Sequence, residues 1–347
     1  MIRVGLVGLP NAGKSTFFNC LTRANALVAS YPFSTVAPNK ATLKLYDKDT
    51  DVLAAAINAP DVLRMEVEVW DIAGLIEKAS LGEGLGNEFL GQIKDCDVIV
   101  HVVRADRSSS IGSITSDINT VLTEIALFDH KCLLKPFEKG RRMARLYPNN
   151  ATHSATNKVL SEAYYGTKEG QMISDVLDND KLPMLRDIGL ISTKPRLTLL
   201  NTDDSVDSAR ATKDLGGDIA ANLLEMLALV SMTDEERLIL GYEEEPVYPF
   251  LQRICDGIVR KINYKYFYTV GHLGVGQWIA PVGADAKDCS RLVHAEFGDA
   301  IKGVTVAGLE DFTRLKSWQS MTKNGLTKKY GPVYTPQDKD ILRFETS

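Results

Sequence analysis

Short apolar runs punctuate the first third of the chain: Ile2–Val7, Ala41–Leu45, Met65–Trp70 and Val98–Val103. Each reads as a strand, and Val98–Val103 is apolar apart from His101, as a parallel strand buried on both faces is. The first run ends in Gly8-Leu-Pro-Asn-Ala-Gly-Lys-Ser, and a helical stretch follows from Thr16 to about Leu21. Strand, glycine-rich turn and helix start are predicted there. After Arg104 the texture changes. Helical periodicity dominates from Ser108 to about Arg186, in Ile118–Leu127, Leu133–Leu146, Lys158–Tyr165 and Gly170–Leu177, and a break at Pro148-Asn-Asn predicts a long hairpin. A further strand, Pro195–Leu200, ends in Asn201, and a polar loop and helices lead to about Lys261. From about Asn263, the runs Tyr264–Val270, Gly276–Ala280, Gly303–Val306 and Ile341–Phe344, with one helix over Asp288–Phe297, predict a small mixed domain with a curled sheet. The expected architecture is α/β in three parts: residues 1–107 with 191–262, a helical insertion at 108–190, and a C-terminal domain at 263–347.

Composition narrows the function classes. The 347 residues carry 40 basic and 45 acidic side chains, a net charge of -5, which argues against a polycation that coats nucleic acid but leaves room for a local basic patch. The cysteines Cys20, Cys96, Cys132, Cys255 and Cys289 are scattered without a CxxC pair, so a reducing compartment is expected rather than a disulfide framework or zinc knuckle. No apolar run approaches the length of a membrane span, and the N-terminus reads as a strand rather than a signal peptide. A soluble, cytoplasmic, multidomain protein is expected.

Gly8-Leu-Pro-Asn-Ala-Gly13-Lys14-Ser15 satisfies G-x-x-x-x-G-K-[ST] at every required position. Glycines let backbone N–H groups turn inward around phosphates, the lysine supplies a point charge, and the serine hydroxyl ligates Mg²⁺. A chance match somewhere in the chain has a probability on the order of 1%. Asp71-Ile-Ala-Gly74 ends the strand Met65–Trp70, where a further Mg²⁺ shell ligand and a γ-phosphate-sensing amide are needed. Tyr31-Pro-Phe-Ser-Thr35 lies between the two, where a loop threonine would meet Mg²⁺ and γ-phosphate. Gly82-Glu-Gly-Leu-Gly86 lacks dinucleotide spacing and reads as a hinge. The histidines 101, 130, 153, 272 and 294 are too dispersed for a metal site.

The runs DIAGLIEKASLGEGLGNEFL from Asp71 and YPFSTVAPN from Tyr31 resemble the Obg family of translation-factor-like P-loop GTPases, and within it the YchF (Obg-like ATPase) subfamily. The helical insertion after His101-Val-Val-Arg104 fits that subfamily, and QWIAPVGADAKDCSRLVHAEF with VAGLEDF looks like its ubiquitin-like TGS domain. The resemblance implies a P-loop nucleotide-binding domain with a coiled-coil hairpin insertion and a TGS domain. It implies that Asn11, Ala12, Gly13, Lys14, Ser15 and Thr16 hold phosphates and that Ser15, Thr35 and Asp71 serve Mg²⁺. Lys14, Thr35 and Gly74 would act on the transferring phosphoryl group, and Asn201 and Asp204 would face the base. Where many GTPases place a water-orienting glutamine this chain has Leu75, and 105–113 holds no histidine to replace it. Asn201-Thr202-Asp203-Asp204 combines a non-lysine second position, as in the ATPases, with the shorter guanine-reading carboxylate. ATP is favoured, with GTP close behind.

Lys131, Lys135, Lys139, Arg141, Arg142 and Arg145 are opposed locally only by Glu138. On residues alone this is a solvated helix face; the family's association with ribosomes raises contact with ribosomal RNA, rather than DNA or membrane, to equal standing. Lys316, Lys323, Lys328 and Lys329 form a weaker cluster. The leading expectation is a Mg²⁺-dependent triphosphatase that reports its state to a ribosome and regulates translation. The alternatives are a nucleotide-gated binding module with negligible hydrolysis and a GTP-specific Obg-type GTPase.

Overall fold

The structure is a computed structural model that describes residues 1–28, 40–71, 93–106, 109–178, 180–204, 208–242, 247–272 and 274–346. Its strands are β1 Ile2–Val7, β2 Lys40–Lys44, β3 Val62–Leu63, β4 Glu66–Asp71, β5 Val98–Arg104, β6 Arg196–Asn201, β7 Ile219–Ala221, β8 Tyr264–Gly271, β9 Gly274–Pro281, β10 Ile301–Ala307, β11 Thr327–Tyr330 and β12 Asp340–Thr346. The helices that bear on the argument are α1 Lys14–Val28, α2 Lys48–Ile57, α3 Ile111–Leu146, α4 Ala151–Lys168, α5 Leu223–Val230, α6 Val247–Lys261 and α7 Ala286–Val293. Contacts group the chain into two compact units, one of residues 1–42 with 68–236 and one of 43–67 with 237–347.

The first unit is organised by a sheet of order β2-β4-β1-β5-β6-β7. The pairs β1–β5, β5–β6 and β6–β7 are parallel, so the strand ends that carry the phosphate-loop turn and Asn201 lie along one edge. Every residue of β5 except Arg104 is buried, as its sequence, apolar up to Arg104 but for His101, leads one to expect. Beside the sheet, α3 and α4 form an antiparallel hairpin: Gly140 of α3 faces Leu160, while Gly170, just past α4, faces Thr123. Ser110 and Asn150 cap the two helices through their side chains.

One feature of α3 departs from expectation. The periodicity predicts two helices, but a single helix of 36 residues runs through Pro136. The lost N–H is offset by packing on either side: Leu133 is buried with Val159, Leu160 and Ala163 of α4, and Phe137 stacks on Tyr164 at 4.2 Å. Further along, the wholly buried Asp129 carboxylate accepts from Ile191 N at 3.0 Å and from Ser192 N and Oγ at 2.6 Å each. These bonds fasten α3 to the segment that enters β6.

The second unit is built on a sheet of order β11-β10-β12-β8-β9-β3, with a core that includes Phe267, Trp278, Ala280, Cys289, Val304 and Leu342. Residue 263, where the sequence places the start of the C-terminal domain, falls inside this unit. The helix expected over Asp288–Phe297 is α7, followed by a separate short turn at Phe297–Ala300. The apolar pattern assigns nothing to α2. Its start is fixed by Asp47, whose side chain accepts from Asp49 N, Thr50 N and Thr50 Oγ1 and from the buried Tyr268 hydroxyl at 2.7 Å.

Candidate functional site

β1 delivers the chain into the glycine-rich turn, and α1 begins at Lys14. The turn runs so close to β5 that a Cβ on Gly8 would lie 2.2 Å from Val102 O. At Gly13, with φ +104, a Cβ would lie 2.4 Å from Asn201 Nδ2. Only glycine fits either position. Asn11 turns through φ 61, a left-handed conformation that asparagine tolerates. Ala12 is buried, Asn11 exposed and Thr16 half-buried, and Phe17 N closes the first helical bond onto Gly13 O at 2.9 Å.

Lys14 is only 7% exposed, and its ammonium donates to Gly8 O at 3.0 Å and Leu9 O at 2.9 Å. Burial lowers its pKa, while the Asp71 carboxylate opposes that shift. Ser15 Oγ donates to Asp71 Oδ2 at 2.8 Å. A hydroxyl and a carboxylate oxygen side by side, next to a phosphate loop, make a hard donor set that fits Mg²⁺. Thr35, Gly74, Leu75 and the 82–86 hinge lie outside the described residues.

At the other end of the edge, Asn201 is a brace for the loop. Its Nδ2 donates to Ala12 O at 3.1 Å and its Oδ1 accepts from Leu223 N at 3.3 Å, so among the described residues one N–H is left over. Thr202 is 4% exposed, and its hydroxyl has no hydrogen-bond partner among the described residues. Asp204 is exposed, and its Oδ1 accepts from Asn222 Nδ2 at 2.6 Å. The sequence reading did not single out Asn222. The available signal was an asparagine just before an apolar helix with Glu225 three residues on, a helix-start signature.

His101 is buried with the rest of β5 up to Val103. It is 1% exposed, its Nδ1 has no partner among the described residues, and it borders a cavity of about 200 Å³ with Leu9, Asn11, Ala12, Arg104 and Asp117. Burial, helped by Arg196 and Lys14, pushes its pKa down to about 3, so the ring is neutral at pH 7. On the hairpin, Lys131, Lys135, Lys139, Arg141, Arg142 and Arg145 are all exposed, and Arg141 lies 5.5 Å from the Phe137 ring centroid. In the weaker cluster, Lys329 is paired with Glu345 at 2.8 Å.

Residues 3–134 match the family described as 50S ribosome-binding GTPase, and residues 264–347 match the YchF-GTPase C-terminal family, described as a protein of unknown function. The Ribosome-binding ATPase YchF of Haemophilus ducreyi is 31% identical over 99% of this chain and 98% of its own length. This chain belongs to the YchF family. Other YchF proteins align as completely: that of Mycoplasma genitalium, also named a ribosome-binding ATPase, is 28% identical over 99% of both chains. The solved Schizosaccharomyces pombe YchF GTPase shares the fold, with a TM-score of 0.82 over 99% of this chain and 97% of its own at 24% identity. Among the described residues, no helix of this YchF-family chain is long and apolar enough to cross a membrane.

Proposed function

We propose that this chain is a Mg²⁺-dependent ATP-hydrolysing switch of the cytoplasm that binds ribosomes and regulates translation. The observation that carries the reading is the convergence of Lys14, Ser15 and Asp71 at one strand edge, with the Ser15 and Asp71 oxygens 2.8 Å apart. Relatives named ribosome-binding ATPases along the whole chain support the choice of ATP and of the partner. Hydrolysis is in-line: a water oxygen forms a bond to the γ-phosphorus as the bond to the β–γ bridging oxygen breaks, giving ADP, phosphate and a proton released to solvent. Lys14 exchanges its two carbonyl partners for terminal phosphate oxygens. Asn11, Ala12, Gly13 and Thr16 line the phosphates, Thr35 and Gly74 meet the γ-phosphate, and Ser15, Thr35 and Asp71 would hold Mg²⁺. When bound, Mg²⁺ would supply neutralisation of the phosphate charge. Asn201 and Asp204 stand at the base.

Residues 108–190 act as a coiled-coil arm whose exposed cations meet ribosomal RNA, and 263–347 form the TGS-like module. A second reading, a nucleotide-gated module with negligible hydrolysis, is favoured by Leu75 and the absence of histidine from 105–113. Single-turnover ATP hydrolysis with and without ribosomes, in Mg²⁺ and in chelator, tests both. Mg²⁺-dependent turnover supports the enzyme; tight binding without turnover in either condition supports the gated module.

A further inference from the structure

β6 ends at Asn201 and β7 at Ala221, and these two residues are register partners. Asp204 and Asn222 follow them at the same edge, beyond the carboxyl ends of parallel strands, where open α/β sheets hold their ligands. Asn222 is held there from two sides. Its Oδ1 accepts from Glu225 N at 3.2 Å, capping α5, and the cap fixes the plane of the amide. Its Nδ2 then donates to Asp204 Oδ1 at 2.6 Å, a contact to a carboxylate that is stronger than one between neutral groups. The next residue, Leu223, donates its N–H to Asn201, which in turn holds Ala12 of the phosphate loop. Asn222 therefore ties the carboxylate of the base loop to the same helix end that braces the phosphate loop.

A carboxylate selects guanine by accepting two parallel hydrogen bonds, from N1–H and the 2-amino group, one on each oxygen. Adenine offers an acceptor at N1 and repels the same group. A carboxylate whose Oδ1 is already bonded to a capped amide is turned to suit that amide, not a purine edge. We propose that Asn222 is a specificity-determining positioning residue, which draws Asp204 away from guanine reading and lets the site favour ATP. The inference rests on the ATP reading of the preceding section.

The test is a double-mutant cycle read as an affinity ratio. Affinities of MgATP and MgGTP are measured by competition against one fluorescent triphosphate analogue for wild type, Asn222→Ser, Asp204→Ala and the double variant. Serine keeps the helix cap, so α5 is retained, but is too short to hold Asp204. Asn222→Ser should shift the preference toward GTP by about fivefold or more, the loss of one charge-assisted contact. On the Asp204→Ala background the same substitution should move the ratio by less than about twofold. A ratio that stays put in Asn222→Ser, or moves equally on both backgrounds, overturns the inference and leaves the ATP reading intact. A wild-type chain that prefers GTP, or binds neither triphosphate, overturns both.

Discussion

Lys14 concentrates the energetics of the site at the scale of one residue. Its ammonium is buried, its pKa is lowered by that burial, and its hydrogen bonds go to two backbone carbonyls of its own loop. A cation so desolvated gains more from a phosphate than one in water. Lys14→Ala should weaken MgATP binding by about 10- to 100-fold, and calorimetry that finds the affinity unchanged would remove the phosphate site. Gly13 and Ser15 were as legible in the sequence as Lys14, because the phosphate-loop motif specifies their types and spacing, whereas Asp71, in a four-residue D-x-x-G, was legible only through its place after that loop. Asn222 was not, because an asparagine before an apolar helix is equally an ordinary cap, and its partner Asp204 lies 18 residues away. His101 makes a separate prediction. Its pKa falls from 6.5 to about 3 on folding, so above pH 6.5 it costs nothing, and below that the unfolded chain takes up a proton the folded one refuses. Its share of stability is thus lost as pH falls from 6.5 toward 3. Between pH 7 and pH 5 that loss is about 2 kcal/mol, and His101→Leu should abolish it. Urea unfolding at the two pH values checks this, and parallel pH dependence in variant and wild type would refute the buried neutral ring.

The elements show which forces a linear pattern can report. β1, β5 and β6 emerge where expected because burial in a parallel sheet demands apolar residues in series. β11, Thr327–Tyr330, is mostly exposed and polar and carries no such signal. The continuity of α3 was hidden for a different reason: a proline weighs heavily in a local reading, whereas the contacts that override it come from α4, far along the chain. Asp129 is the sharpest case of such a tertiary tie. Its carboxylate takes three hydrogen bonds from residues 191 and 192. In Asp129→Asn, one of these donors would meet an amide N–H instead of an acceptor. The variant should lose about 2–3 kcal/mol, and hydrogen exchange at the Ile191 and Ser192 amides should accelerate most. Unchanged exchange at those two amides would mean the tie is not what holds α3 to the strand.

Over the whole molecule, the net charge of -5 gives no hint of attraction to nucleic acid. Screening explains why the average misleads: at physiological salt the Debye length is about 8 Å, so a phosphate responds to the charges beside it rather than to the sum over the chain. Lys131, Lys135, Lys139, Arg141, Arg142 and Arg145 are exposed along one helix with Glu138 as the local acid. If they meet ribosomal RNA, each phosphate they neutralise releases condensed counterions, and association must weaken steeply as salt rises. Co-sedimentation with ribosomes should therefore fall by orders of magnitude between about 50 and 200 mM salt. Replacing Arg141, Arg142 and Arg145 with glutamine preserves helix propensity and a polar side chain while removing three charges. The slope of log affinity against log salt should then flatten by about two to three units, with weaker binding at low salt. Nucleotide affinity should be unchanged, because these residues belong to the hairpin and none lies at the strand edge that carries Lys14 and Asp71. A variant with the wild-type slope would place the ribosome contact elsewhere on the chain, and no sedimentation at any salt concentration would remove the ribosome as partner.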